Sequence, residues 1–528
     1  MQWMSPCKVS GPGKKKARQE NPPGLKSLGR GCLKGPSYVQ CSTILCKCER
    51  FKLCCGLRKC RTILVMEEDF YISAVMANVT RRIVACLLAL ALSACASNNN
   101  DTSANPASPE PTLVLVEPSA NGFVATFQFH EDAKAWVFHR SALRRRDRKP
   151  WRADSWTIQT PGVALQRIGR HDALVASSGV VPRLVSIAFE PAAVDLIADY
   201  DPALIFTDGT TAIFAGAFMA FPMDDLDRLE TMDEPLGWPT SIQFSDPGRN
   251  VMYKGRHVDV ATDDGEAYVI YDAPAIAEDA AVALLADPAL PEWLEGQLKN
   301  STPAVFRFYR DRLGEHAGPR PMVIASMVQS DLRGISQGGS VLPGMITMRF
   351  EGDGLRTPNP RVVSGSLWFI AHEAAHFWLG QTIRYDNRSR AWITEGGADL
   401  MAMRASEALA PGFSAQPMLE AARIDCEAAL AQGGIEAARF RNEQRPYYAC
   451  GSLFALVVEQ AGRQRGEDYF DFVSQLISAR RDGEISGEAW LAAAHAFGVD
   501  EKKVAIMRRL LESGSENAAT DIESLIGG

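Results

Sequence analysis

The sequence predicts an α+β chain in which a β-rich domain, residues 112–278, precedes a mostly α domain with a small sheet, residues 279–528. Three observations carry this. Short alternating or β-branched runs between turn residues fill the first stretch, apolar spacings of three and four fill the second, and a single pair of Gly- and Pro-flanked apolar runs breaks the helical pattern. A chain of 528 residues suffices for two or three cores, and 46% hydrophobic with 23% charged residues excludes a disordered or fibrous protein.

The start of the chain is set apart by charge and by cysteine. Residues 1–75 hold 14 Lys/Arg against 5 Asp/Glu, and residues 76–528 hold 42 against 58. Eight of the 12 cysteines, Cys7 to Cys60, fall in that first part. Their spacings do not resolve into two Cys-x-x-Cys pairs and no His accompanies them, so a zinc module is not expected. Residues 1–75 are read as a non-functional or misassigned extension, because a better start follows. Met76 opens a basic n-region with Arg81 and Arg82, Ile83 to Leu92 is an apolar h-region too short to span a bilayer, and small residues precede Cys95. This is the pattern of a signal peptide over 76–95. Its Leu92-Ser93-Ala94-Cys95 end resembles a bacterial lipobox, which makes Cys95 the expected lipidation site. Residues 96–111, rich in Ser, Asn, Pro and Ala, are the expected disordered tether. The reading is a protein of the bacterial cell envelope, anchored to a membrane by lipid and facing the periplasm or cell surface. There Cys426 and Cys450 would either form one disulfide or remain two buried thiols.

In the β-rich domain the expected strands are 112–116, 122–129, 184–189, 212–218, 241–244 and 267–271, with Asp-Gly turns of hairpin type at 208–209 and 264–265. Helical periods are expected from 280–285 through 291–314, interrupted by strands at 321–325 and 344–350. Helices then follow at 364–379, 394–408, 416–432, 448–462, 468–480, 486–497 and 500–513, with Ser486 and Asp500 as N-caps.

His372-Glu373-Ala374-Ala375-His376 lies in the 364–379 helix. Residues four apart share a helical face, so His372 and His376 can converge on one metal while Glu373 projects toward the open coordination position. Eighteen residues on, Glu395 opens the next helix in Trp392-Ile393-Thr394-Glu395-Gly396-Gly397-Ala398-Asp399, where it can supply a third ligand. Two His and one Glu leave the fourth position for water, as catalytic zinc requires, and one Zn2+ is expected. Asp399, one turn after Glu395, is placed to accept a hydrogen bond from a ligand imidazole and fix its tautomer.

These residues resemble the aminopeptidase N family of gluzincin zinc metallopeptidases. The family's pattern is His-Glu-x-x-His, eighteen residues, then Glu within Trp-x-x-Glu-Gly, matched here at His372, Glu373, His376, Trp392, Glu395 and Gly396. Phe306-Arg307-Phe308-Tyr309 with Leu313-Gly314 extends the likeness, which covers roughly residues 290–460. The resemblance implies a thermolysin-like catalytic domain and a strand that lines the substrate, with Gly338, Gly339, Gly344 and Met345 as its expected members. It also implies an oxyanion-stabilising phenol, matched by Tyr448 in Tyr448-Ala449-Cys450-Gly451, with Tyr447 a near alternative. The family's Gly-x-Met-Glu-Asn motif falls on Gly338-Gly339-Ser340-Val341-Leu342. The Glu that would grip a substrate's free amine is therefore replaced by Val341, which cannot bind an ammonium.

The expected function is zinc-dependent hydrolysis of a peptide or protein substrate. Hydrolysis of another amide or ester and a silent zinc-containing binding protein stand as alternatives. The intact Glu373 argues against the silent form, because a binding module has no need of a base beside an open metal. Nucleic acid is not an expected partner, since residues 76–528 are net acidic.

Overall fold

The computed structural model describes residues 110–527 apart from 198, 233–234, 277–281, 386–387, 442 and 481–482. The expected extension, the expected signal peptide with Cys95 and nearly all of the expected tether lie outside the described residues.

The chain is α+β, with a β-rich region followed by a helical one. Alternation sets up the first strand pair: in Thr112–Ser119 every second residue is buried, and the strand pairs antiparallel with Gly122–Gln128. Gly122 closes this tight turn at φ +106°, a conformation that side chains resist. The pair lies within a six-stranded sheet, and four- and five-stranded sheets complete the region. Between them Phe127, Phe129, Trp136, Phe138 and Trp156 form an aromatic core. Most of the unexpected strands are short, three to six residues, and lack clean alternation; His171–Ala176 is an example, with four consecutive buried residues.

Two expectations fail here. The 212–218 run is a strand only over Thr211–Phe214, after which Ala215–Phe218 winds into a 3-10 turn whose residues are all buried. Asp264-Gly265 makes no hairpin, because Val260–Asp263 and Tyr268–Tyr271 belong to different sheets. The turn is instead organised by the Asp263 carboxylate, which accepts from the backbone N–H groups of Gly265, Glu266 and Ala267.

The helical region contains a sheet larger than one strand pair. Its order is Ala283–Ala286, Met322–Val328, Met345–Glu351, Ser336–Leu342, with the last strand antiparallel and at the edge. The expected helix at 280–285 is therefore a strand over Ala283–Ala286, paired parallel to Met322–Val328. Four apolar residues fit either period, and neighbouring strands decided between them. Ser336–Leu342 is rich in Gly and Ser and carried no strand signal of its own.

One face of this sheet packs on helices through Val323, Ile346 and Met348. The other face packs on the β-rich region: Leu285, Met322, Ile324, Leu342 and Met345 share a buried cluster with Tyr200, Phe206, Phe214 and Tyr268. The Tyr200 hydroxyl donates to the Val341 carbonyl at 3.0 Å, and Arg349 pairs with Asp195 at 3.3 Å and Asp201 at 3.7 Å. Burial pushes Asp201 up to about 7 despite the opposing Arg349. Among the described residues no helix is long and apolar enough to cross a membrane.

Candidate metal centre

Three helices carry the site residues, and two others hold them in place. The ligand helix, Pro360–Ala375, begins at Asn359, whose side chain caps Arg361 N, with Pro360 in the first turn. It starts earlier than expected and ends at Ala375, so His376 occupies its C-cap. There φ −66° and ψ −15° keep the chain helical, and the i, i+4 relation to His372 survives. Tyr309 of helix Glu292–Leu313 donates its buried hydroxyl to Ala371 O at 2.8 Å, which fixes the ligand helix one residue before His372.

The carboxylate helix, Ala391–Leu409, carries Glu395 and Asp399. The tyrosine helix, Arg445–Gly462, carries Tyr448. These two cross in contact at paired glycines: a Cβ on Gly396 would stand 2.1 Å from Gly451 C, and one on Gly451 would stand 2.3 Å from Trp392 O. Any side chain at either position would part the helices. Gly396 follows Glu395, and Gly451 lies about one turn after Tyr448, so this crossing brings carboxylate and phenol together. Arg404 clamps it further on, with Nε and Nη2 donating to the two oxygens of Glu459 at 2.7 and 2.6 Å. The remaining helix, Gln416–Leu430, is joined to the tyrosine helix by the Cys426–Cys450 disulfide, two residues beyond Tyr448.

His372, His376 and Glu395 are all buried, and their ligand-type atoms converge. His372 Nε2 and His376 Nε2 face each other at 3.2 Å, and Glu395 Oε2 lies 3.4 Å from the first and 3.5 Å from the second. The outer nitrogens are held elsewhere. His376 Nδ1 lies 3.1 Å from Leu379 O and donates to it, which leaves the Nε2 lone pair pointing inward. His372 Nδ1 stands 2.9 Å from Asp399 Oδ1, an ion-pair contact off the line of an ideal hydrogen bond. Two inward lone pairs and a buried Glu395 Oε2 without an aligned donor repel one another unless a cation or proton lies among them. This donor set fits a divalent metal.

Electrostatics follow the same geometry. Burial pulls the His372 imidazole down, but the Asp399 and Glu395 carboxylates outweigh it and push it up to about 10. Burial opposes ionisation of Glu395, yet His376 and His372 hold its carboxyl far below the usual range. Glu373 is pushed up by burial, opposed by the two imidazoles and reinforced by Glu395, and its Oε2 has no hydrogen-bond partner among the described residues. The Tyr448 hydroxyl is driven well above its ordinary value by burial and then by Glu395 and Glu373, so it stays protonated. The Tyr448 ring stacks on His372 at 5.7 Å between centroids, and Trp368 lies 5.3 Å from the same imidazole.

Of the residues expected from sequence, His372, Glu373, His376, Glu395, Asp399 and Tyr448 come together. Tyr447 does not join them, since its hydroxyl accepts from Arg439 N at 3.2 Å. Gly338 and Gly339 lie on the edge strand. Gly344 and Met345 are a correction: Gly344 sits in the connecting turn at φ +73°, and Met345 opens a strand flanked on both sides. The edge falls on Ser336–Leu342 because Met345–Glu351, being apolar, is buried between neighbours. Val341 is 2% exposed and packs in the helix-facing core, so its position offers no carboxylate to a substrate. Sequence reasoning missed the Leu379 carbonyl, which no side-chain pattern reveals, and the service of Trp368 as a wall of the site. No protein-family model matches this chain, and no curated protein is detectably similar to it.

Proposed function

We propose that the protein is a zinc-dependent peptide hydrolase, related to the aminopeptidase N family and built on a thermolysin-like catalytic domain. The observation that carries this is the triangle of 3.2, 3.4 and 3.5 Å among the three ligand-type atoms. Zinc at about 2.0–2.1 Å from tetrahedral ligands requires edges of about 3.3–3.4 Å, and the two imidazole nitrogens suit zinc, whereas calcium takes oxygen ligands. Three protein ligands also leave one position open, as catalysis needs.

When bound, the metal would lower the pKa of a water and polarise the scissile carbonyl. Glu373 is the proton carrier, with its free Oε2 placed to take a proton from the attacking water and return it to the leaving nitrogen. Tyr448, protonated at neutral pH, donates a hydrogen bond to the charge that grows on the carbonyl oxygen. The outer side of Ser336–Leu342 pairs with no strand among the described residues, and an extended peptide can hydrogen-bond along it, which favours peptides over simple esters.

The test is a peptide mixture read by mass spectrometry together with metal analysis. The zinc-loaded protein is expected to cleave peptides. Glu373→Gln should retain one equivalent of zinc and lose about 10²–10⁴-fold in kcat, whereas His376→Ala should lose the metal as well. Near-normal turnover by Glu373→Gln would overturn the assigned chemistry.

A further inference from the structure

The tyrosine helix begins without a cap. Its N-cap residue, Gln444, makes no side-chain hydrogen bond to the helix, and Pro446 near the start has no backbone N–H to offer. Tyr448 is the fourth residue, at the end of the first turn, where helices fray. A phenol that meets a developing charge needs a fixed position.

Helix Gln416–Leu430 holds that turn from outside. Its buried residues, Ala422, Cys426 and Leu430, are spaced by four and form one narrow stripe, and the middle one is bonded to Cys450. Beside the bond, Asp425 pairs with Arg445, the first residue of the tyrosine helix. That ion pair is partly exposed and contributes little by itself. The covalent link carries more, because Cys450 lies about 200° round the helix from Tyr448 and Gly451 about 300° round. Tyr448 thus faces the metal ligands, stacked on His372, while Gly451 bears on the carboxylate helix and Cys450 is tethered on the far side. Cys426 and Cys450 are 1% and 0% exposed, out of reach of a dissolved thiol in the folded protein, so the bond is a fixed brace and not a switch.

We infer that the Cys426–Cys450 bond positions Tyr448: it keeps the first turn of the tyrosine helix closed against helix Gln416–Leu430, so that the phenol stays stacked on His372 beside the metal ligands. The inference deepens the hydrolytic reading above and rests on it for its kinetic part. The test compares the parent protein with two replacements of the bond, Cys426→Ser/Cys450→Ser and Cys426→Ala/Cys450→Val, the second being wholly apolar. Each zinc-loaded variant is expected to lose at least about tenfold in kcat on a cleaved peptide while KM and zinc content stay within about twofold, the pattern of a contact made only in the transition state. In a Tyr448→Phe background the same replacements should cost nothing further, because the group they position is gone. A signature independent of turnover comes from NMR of isotope-labelled histidine. The His372 ring signal, identified by its displacement in Tyr448→Leu, should move in the same direction in both variants, while that of His376 stays. An unmoved His372 signal, an undiminished kcat, an equal loss in the Tyr448→Phe background, or loss of near-UV circular dichroism in both variants overturns the inference. A displaced His372 signal in a protein that cleaves no peptide would instead remove the hydrolytic reading and leave the brace standing.

Discussion

At the scale of single residues, the metal-free centre keeps a proton where a cation would sit. His372 is pushed up to about 10, so below that pH its imidazole is charged in the absence of metal. A metal must displace that proton, and raising the pH removes the competitor, so affinity should rise with pH. Chelator competition at pH 6, 7 and 8 is expected to show zinc affinity climbing by up to about tenfold per unit, with a proton released to buffer. Affinity independent of pH would show that His372 is neutral in the metal-free site. Asp399→Asn addresses the same balance. Its uncharged amide relieves some of the proton competition at His372 but weakens the contact that orients this ligand, and with the second effect the larger, metal affinity should fall about 10–100-fold. Equilibrium dialysis against zinc buffers reads this directly.

At the scale of elements, the site depends on how closely two helices approach. Gly396 and Gly451 allow backbone contact, and a methyl group at Gly451 would overlap Trp392 O. Gly451→Ala is therefore expected to cost about 1–3 kcal/mol of stability and to lower kcat by drawing Tyr448 away from Glu395. Gly296→Ala is the control: it lies in helix Glu292–Leu313 with open space at its Cβ, and should be neutral or stabilising by up to about 1 kcal/mol. Denaturant unfolding of the two variants beside the parent protein tests the contrast. The disulfide acts on the same arrangement, since it ties helix Gln416–Leu430 to the helix that carries Tyr448.

At the scale of the molecule, the β-rich region and the sheet beneath the site share one buried cluster. Residues 282–528 alone would expose Leu285, Met322, Ile324, Leu342 and Met345, and would leave Arg349 without Asp195 and Asp201. That fragment is expected to aggregate or to lose its near-UV circular dichroism, whereas residues 110–528 should fold. Specificity belongs to this scale too. Val341 faces the core rather than the substrate, so acetylating the N-terminus of a good peptide substrate should change kcat/KM by less than about tenfold, or about 1.4 kcal/mol. A thousandfold loss would reveal an amine-binding acid contributed from elsewhere.

The sequence by itself determined the candidate ligands and the broad layout. His372, Glu373 and His376 were legible because helical periodicity places residues four apart on one face, a local rule that needs no knowledge of the rest of the chain. Glu395 and Tyr448 were legible through motif resemblance, and Ser486 and Asp500 through capping chemistry that is equally local. Tertiary structure decided what depends on partners distant in sequence. Pairing with Met322–Val328 made Ala283–Ala286 a strand, a Gly-rich run became the edge, and the Cys426–Cys450 choice was settled by a Cα separation of 4.9 Å. The Leu379 carbonyl on His376 arises in the same way. Which atoms meet across 20 or 100 residues is fixed by the packing of whole elements, and the residue types at either end do not encode it separately.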